Sequence, residues 1–201
     1  MAAPDIVAIS IATRPDCLPQ PVVELLGELN KRKPVWVELG LQTIHAHTAE
    51  YIRRGYPLSV YDDAVLSLKA AGLLVITHVI LGLPGETKEE MKQTVSYVGA
   101  GGVNGIKLQL LHVIRGTDLE RDYFEGKFQT MEMEEYVSLV ADCVALLPEH
   151  MVVHRMTGDG DKRTLVAPLW SADKKRVLNA LNAELGQKKR EEKQEENAAE
   201  G

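Results

Sequence analysis

Leu74-Val-Ile-Thr77-His78-Val-Ile80-Leu-Gly82-Leu-Pro84-Gly85-Glu86-Thr87-Lys-Glu-Glu90 is the stretch on which the fold turns. A near-continuous apolar run from Leu74 to Leu81 reads as a strand covered on at least one face. Glycine and proline then punctuate a tight turn. Thr87 and Glu90 stand at the spacing of a capping box, in which hydroxyl and carboxylate satisfy each other's orphan amides. The amphipathic stretch that follows runs to Gly99. Strand, turn and capped helix in that order make a βα unit.

The same pattern repeats on either side. Ile6–Ala12, Val35–Leu41 and Gly105–Val113 are further apolar runs, and Val22–Lys31 and Asp62–Ala71 are further amphipathic stretches. Ala70-Ala71-Gly72 stops a helix as a C-cap glycine should. Thr117-Asp-Leu-Glu120 is a second capping-box pattern. Alternation of this kind predicts an α/β fold with a parallel sheet curling toward a partial (βα) barrel. A helix over Met133–Leu146, a strand over Val152–Met156 and a last helix form a C-terminal extension. The boundaries expected are 1–130 for the barrel part, 131–186 for the extension and 187–201 for a charged tail. The tail is rich in Lys, Glu and Gln and has no apolar face to bury, so it reads as a frayed helix or a disordered segment.

Hydrophobic residues make up 45% of the 201 and charged residues 26%, which suits a soluble domain. The net charge of −6 gives no electrostatic footprint for nucleic acid or an anionic membrane. No apolar run approaches the roughly 20 residues of a membrane helix. The first residues carry no secretory pattern. Cys17 and Cys143 lie far apart and form no spaced pair, so a reducing cytoplasm is the expected setting.

Strand alternation separates two faces. Glu38, Gly40 and Gln42 fall on one side of their strand, opposite Val35, Val37, Leu39 and Leu41. His78, Ile80 and Gly82 share a side, as do Lys107 and Gln109. A face under helices should be apolar, so the polar set should face a barrel lumen. There it either satisfies itself or meets a ligand. Thr13-Arg14-Pro15-Asp16, Gln42-Thr43, Gly82–Glu86 and His112 fall at strand C-terminal ends, the rim where α/β barrels carry their sites.

These residues carry a family resemblance. Ile9–Asp16, Val37–Thr43, Arg54-Gly55 and Thr77–Glu86, in that order, resemble radical S-adenosylmethionine (SAM) proteins related to the catalytic subunit of Elongator. The likeness is strongest to a bacterial branch without the acetyltransferase domain. His154–Gly160 and Ala167–Trp170 fit that branch too, and the likeness extends over about Ile6 to Leu185. It implies SAM as cofactor. Ile80 and Gly82 match the family's Gly-x-Ile-x-Gly strand, whose isoleucine packs on adenine, with His78 replacing the first glycine. Gln42 and Thr43 match the strand end lining the SAM pocket. Arg54 matches an arginine that pairs with the SAM carboxylate, and Tyr56 departs from a histidine often found there. Thr13 and Arg14 match a rim position. Glu38 and His112 complete the set of expected cofactor-binding residues; no metal ligand is assigned.

The resemblance also implies a 4Fe-4S cluster held by three closely spaced cysteines, and a 5′-deoxyadenosyl radical that abstracts hydrogen from substrate. No such cysteine run exists in this sequence. The chain is therefore expected to correspond to strands three to six of a six-strand partial barrel, to lack the cluster-binding part and to be inactive alone. A strand only about five residues from Met1, at the exposed edge of the arc, points the same way. By analogy with relatives an RNA base is a candidate substrate, and a homo-oligomer is a further expectation.

Two other readings stay open. His45, His47, His78, His112 and His154, in or near strand ends, could serve a metal-dependent hydrolase. A non-catalytic remnant that binds a small molecule or partner is the other. Asp159-Gly-Asp161-Lys162 reads as a tight turn rather than a calcium loop. Trp36, Trp170, Met131 and Met133 read as packing residues.

Overall fold

The computed structural model describes residues 5–158 and 160–199. Its centre is a five-stranded sheet, entirely parallel, in the order β1-β2-β3-β4-β6. The strands are β1 (Ile9–Thr13), β2 (Val35–Gln42), β3 (Leu74–Leu81), β4 (Gly105–Leu110), a short β5 (Val113–Ile114), β6 (Val152–Arg155) and β7 (Leu165–Ala167). The helices are α1 (Gln20–Asn30), α2 (Ala46–Tyr51), α3 (Leu58–Ala70), α4 (Lys88–Ala100), α5 (Asp118–Phe124), α6 (Met133–Ala145) and α7 (Lys174–Ala199). The α/β class and the parallel sheet are as expected.

One face of the sheet is dry. Val35, Val37, Leu39 and Leu41 of β2, Val75, Val79 and Leu81 of β3, and Ile106 and Leu108 of β4 are fully buried. They pack with α1, α3, α4 and α6 in one continuous core. Fully burying a side chain of this size stabilises by about 2 kcal/mol, so this face carries much of the fold. Thr77 is the polar exception on that side. Its hydroxyl shares a 2.8 Å hydrogen bond with the Tyr61 hydroxyl of α3, so its burial costs little. α7 lies on α6 through Val177 and Leu181.

Several element bounds and one cap differ from the sequence reading. β1 begins at Ile9 instead of Ile6; Ile6 and Val7 are exposed and add no ladder. The run Gly105–Val113 is two strands: Leu111 and His112 break it, and Val113–Ile114 pairs antiparallel with β7. α3 starts at Leu58, on the Pro57 N-cap, four residues before Asp62. Thr87 and Glu90 form a full capping box, but the Thr117 box is half formed. Thr117 Oγ1 accepts from the Glu120 amide, while the Glu120 carboxylate accepts from the Gly116 amide instead of returning to Thr117. The helix α7 runs through the charged segment as far as Ala199.

Candidate functional site

Among the described residues the helices α1, α3, α4 and α6 pack on the dry face, and the polar residues of the strands gather on the other. Register brings them together: Gly40 lies opposite His78, His78 opposite Lys107, and Ile80 opposite Gln109. Glu38 is the hub. Its Oε1 accepts from Ser10 Oγ at 2.7 Å. Its Oε2 accepts from His78 Nε2 at 2.7 Å and from Lys107 Nζ at 2.5 Å. Gln109 Nε2 donates to His78 Nδ1 at 2.9 Å. His78 is thus held as the neutral tautomer with its proton on Nε2.

Electrostatics follow from that geometry. Burial works against the Glu38 carboxylate, but the hydrogen bonds from Lys107, Ser10 and His78 outweigh it and hold its pKa at about 2. Burial lowers the His78 pKa, the bond to Glu38 opposes this, and the Lys107 charge lowers it further. The His154 pKa is also lowered by burial and by Lys107. His154 lies on this face two residues beyond Val152, the partner of Gly105, and a register shift between Ile106 and Lys107 then pairs Lys107 with Arg155. The His154 ring stands over Gly105 and meets Trp36 edge-on at 6.0 Å. Trp36 points its indole N–H into this corner with no partner among the described residues.

The rim is built from the strand ends. Gln42 sits in the left-handed region at φ 65, and its side-chain amide turns back to donate to the carbonyls of Leu41 and Gly40. Gly40 is what lets it do so, because a Cβ there would lie 2.5 Å from that amide. Thr43 is fully buried and accepts from the His45 amide. Thr13 is half-buried; Arg14 is exposed, paired with Asp16 at 2.7 Å and placed over the Tyr56 ring. Ile80 is half-buried on the open face beside His78. Gly82, at φ 86, has Met131 against it. His112 lies against Gly158 and Gly160. A rim cavity of ≈ 460 Å³ opens between Gly85, Glu86 and Lys88 on one side and Phe128, Met131 and Glu135 on the other.

Arg54 is placed differently from what the motif implies. It is buried at 6% exposure. Its Nη1 donates to the carbonyls of Leu41 and Thr43, its Nε to that of Tyr56, and its charge lies on the Tyr56 ring. It braces the chain beneath Gln42 and does not reach the open face through these bonds.

The structure therefore joins Glu38 and His78 directly and sets Gln42, Ile80 and Gly82 along neighbouring strand ends. Ser10 and His154 belong to the open face as well; Ser10 was missed from sequence, and His154 was named there only among the candidate hydrolase ligands. Ser10 could have been found from strand alternation once its register with β2 was known. His154 follows by the same alternation from Val152 once Val152 is known to pair with Gly105.

The histidines do not assemble as a hydrolase would need. His45 Nε2 bonds the Glu90 carbonyl, His78 is inside the Glu38 network, and His112 and His154 sit against different glycines. Among the described residues no three His, Cys, Asp or Glu side chains come together to hold a metal ion. The calcium-type turn includes Asp159, which lies outside the described residues; Asp161 beside it is taken by Arg163 at 2.8 Å. No helix is long and apolar enough to cross a membrane among the described residues.

Comparison with known proteins decides the family. The model described as Radical SAM superfamily matches residues 3–98, and the Radical_SAM C-terminal domain matches residues 103–187. The chain belongs to the radical SAM superfamily. It is 45% identical to the uncharacterized protein YtqA of Bacillus subtilis, over 92% of this chain and 58% of YtqA. It is 27% identical to the tRNA uridine(34) acetyltransferase of Methanocaldococcus jannaschii, over 76% of this chain and 28% of that protein. The archaeal Methanocaldococcus infernus Elp3 structure superposes with a TM-score of 0.72 at 26% identity, covering 80% of this chain and 38% of Elp3. The sheet is thus of the radical SAM partial-barrel type, and the chain spans little more than half the length of YtqA.

Radical SAM membership implies SAM and a 4Fe-4S cluster in related proteins. The cysteines of this chain do not fit the cluster. Thiolates must converge to hold it, yet Cys17 is exposed on the turn after β1 and Cys143 is buried in α6. Burial pushes the Cys143 thiol up to about 12, the opposite of a ligand's tuning. The open face does fit the adenosyl and methionyl parts of SAM in kind: an apolar Ile80 beside a row of ordered donors and acceptors.

Proposed function

We propose that this chain is the SAM-facing portion of a radical SAM enzyme, with the open sheet face taking the cofactor and its partner substrate. The observation that carries the reading is the Glu38 hub. Three donors from three strands converge on one carboxylate on the face opposite the helical core. Such a network is costly to assemble for stability alone. It does supply a floor of fixed dipoles beneath a ligand.

On this reading Ile80 contacts the adenine, and Gln42, Thr43, Gly82, Thr13, Arg14 and His112 border the rim. Residues 1–130 form the barrel part, 131–186 the extension and 187–201 a charged tail. The chain by itself does not cleave SAM, because it carries no set of thiolates for the cluster. The work of its own residues is to bind, orient and keep water off. Hydrogen abstraction would be the task of the complete protein, in the cytoplasm. An RNA base as substrate is supported by the likeness to a tRNA-modifying relative.

Titration of the 201-residue chain with SAM by calorimetry tests this. One-to-one binding is expected, weakened about tenfold by Ile80→Asp, which places a charge against the ring. A flat titration for the wild-type chain overturns the proposal.

A further inference from the structure

Hydrogen-bond accounting across the open face singles out one residue. Ser10 Oγ donates its one O–H to Glu38 in a hydrogen bond, and both nitrogens of His78 are engaged. Glu38 already accepts three bonds. Lys107 is different. An ammonium has three N–H donors, and among the described residues Lys107 uses one, on Glu38. Its side chain is only 15% exposed, so the remaining donors have little water to meet. Gln109, two residues along the same strand and on the same side, has its carbonyl oxygen and one N–H left after bonding His78.

Position sharpens this. Ile80 pairs with Gln109, whereas Lys107 pairs with His78, one layer deeper toward the N-terminal end of the strands. That layer lies about 7 Å from the first at strand rise. A group touching Lys107 therefore lies beyond the ring that would rest on Ile80. Arg54, the cation expected from sequence to take a carboxylate, is buried and turns its Nε and Nη1 to three backbone carbonyls.

We infer that Lys107, braced by Glu38 and flanked by Gln109, is a ligand-binding residue that takes an oxygen acceptor, a carboxylate or carbonyl, on the open face. The inference rests on the reading of that face as the ligand side. The oxygen has two sources, the methionyl carboxylate of SAM or a substrate group.

The experiment uses three probes on the 201-residue chain: SAM, decarboxylated SAM and sodium acetate. If the cofactor supplies the oxygen, K107M weakens SAM about tenfold, leaves decarboxylated SAM unchanged, and K107R restores most of the loss. If another ligand supplies it, K107M leaves both cofactors alone. Acetate then shifts the wild-type Lys107 ¹³Cε resonance saturably, assigned by its absence from K107R, with the other lysines as internal reference. Equal loss of SAM and decarboxylated SAM overturns the inference, as does the absence of any effect from all probes. Should K107M fail to fold, K107Q and the acetate titration of wild type decide in the same way. Wild-type binding of SAM with no response at Lys107 sinks the inference and spares the proposed function. Failure to bind SAM, with acetate still moving Lys107, does the reverse.

Discussion

Arg54 Nη1 donates to the Thr43 carbonyl at 2.6 Å and to the Leu41 carbonyl at 3.2 Å, the carbonyls of the two residues that flank Gln42. One guanidinium nitrogen thus pins both sides of a left-handed non-glycine residue, a conformation that ordinarily costs about 1 kcal/mol or more. The turn that ends β2 is held from below.

Arg54→Met should therefore destabilise the chain by about 3 kcal/mol, since three buried carbonyls lose a charged donor. Gln42→Gly should do no harm to the backbone and lower the cost of that loss in the double variant, because glycine accepts positive φ freely. Urea unfolding of the two single variants and the double measures the coupling. Additive effects would show that the brace does not act on Gln42.

Gly105 and His154 make the second test. A Cβ on Gly105 would stand 2.6 Å from the imidazole and 2.9 Å from the Val152 carbonyl. Gly105→Ala should cost about 2 kcal/mol. Adding His154→Ala should return only part of it, because the backbone oxygen stays. Thermal melts of both proteins check the order.

Acid should act through Glu38. Its carboxyl is held at about 2 in the fold against an ordinary value of 4.5, so the folded state binds the proton more weakly than the unfolded chain. The stability this provides is complete above about 4.5 and is lost as the pH falls from there toward 2. Glu38→Gln should remove that part of the acid slope and cost about 3 kcal/mol at neutral pH, where it leaves Lys107 without its counter-charge. A Tm series between pH 2 and 7 on both proteins reads the slope.

The segment carrying α5 should open first. None of its helical residues is buried, and its ties to α2 are polar: Tyr51 to Asp122 at 2.7 Å and Arg53 to Asp118 at 2.8 Å. Such bonds weaken with salt and add little when exposed. Amide exchange over 117–126 should be fast and faster still in about 1 M salt, while β2 and β3 remain protected. Salt-independent protection would contradict this.

The strand cores were legible because the dry face leaves no choice. Val35, Val37, Leu39 and Leu41 can be buried together only on an alternating strand. The same alternation placed Glu38, His78, Lys107 and Gln109 on one side, and there they are. What sequence could not show was pairing across distance. Gly105–Val113 reads as one apolar run, yet its last residues leave the sheet to pair with β7, some fifty residues later. Nor could a motif reveal a rotamer: Arg54 occupies the expected position and points its guanidinium at backbone.

A sheet with helices on one side alone writes two messages in alternate letters. Odd positions of β2 are fully buried in the core; even positions lie half-buried on the other side. Since neighbouring letters face opposite ways, changes in one message need not disturb the other. A lineage built on this plan can revise its chemistry residue by residue while keeping its architecture.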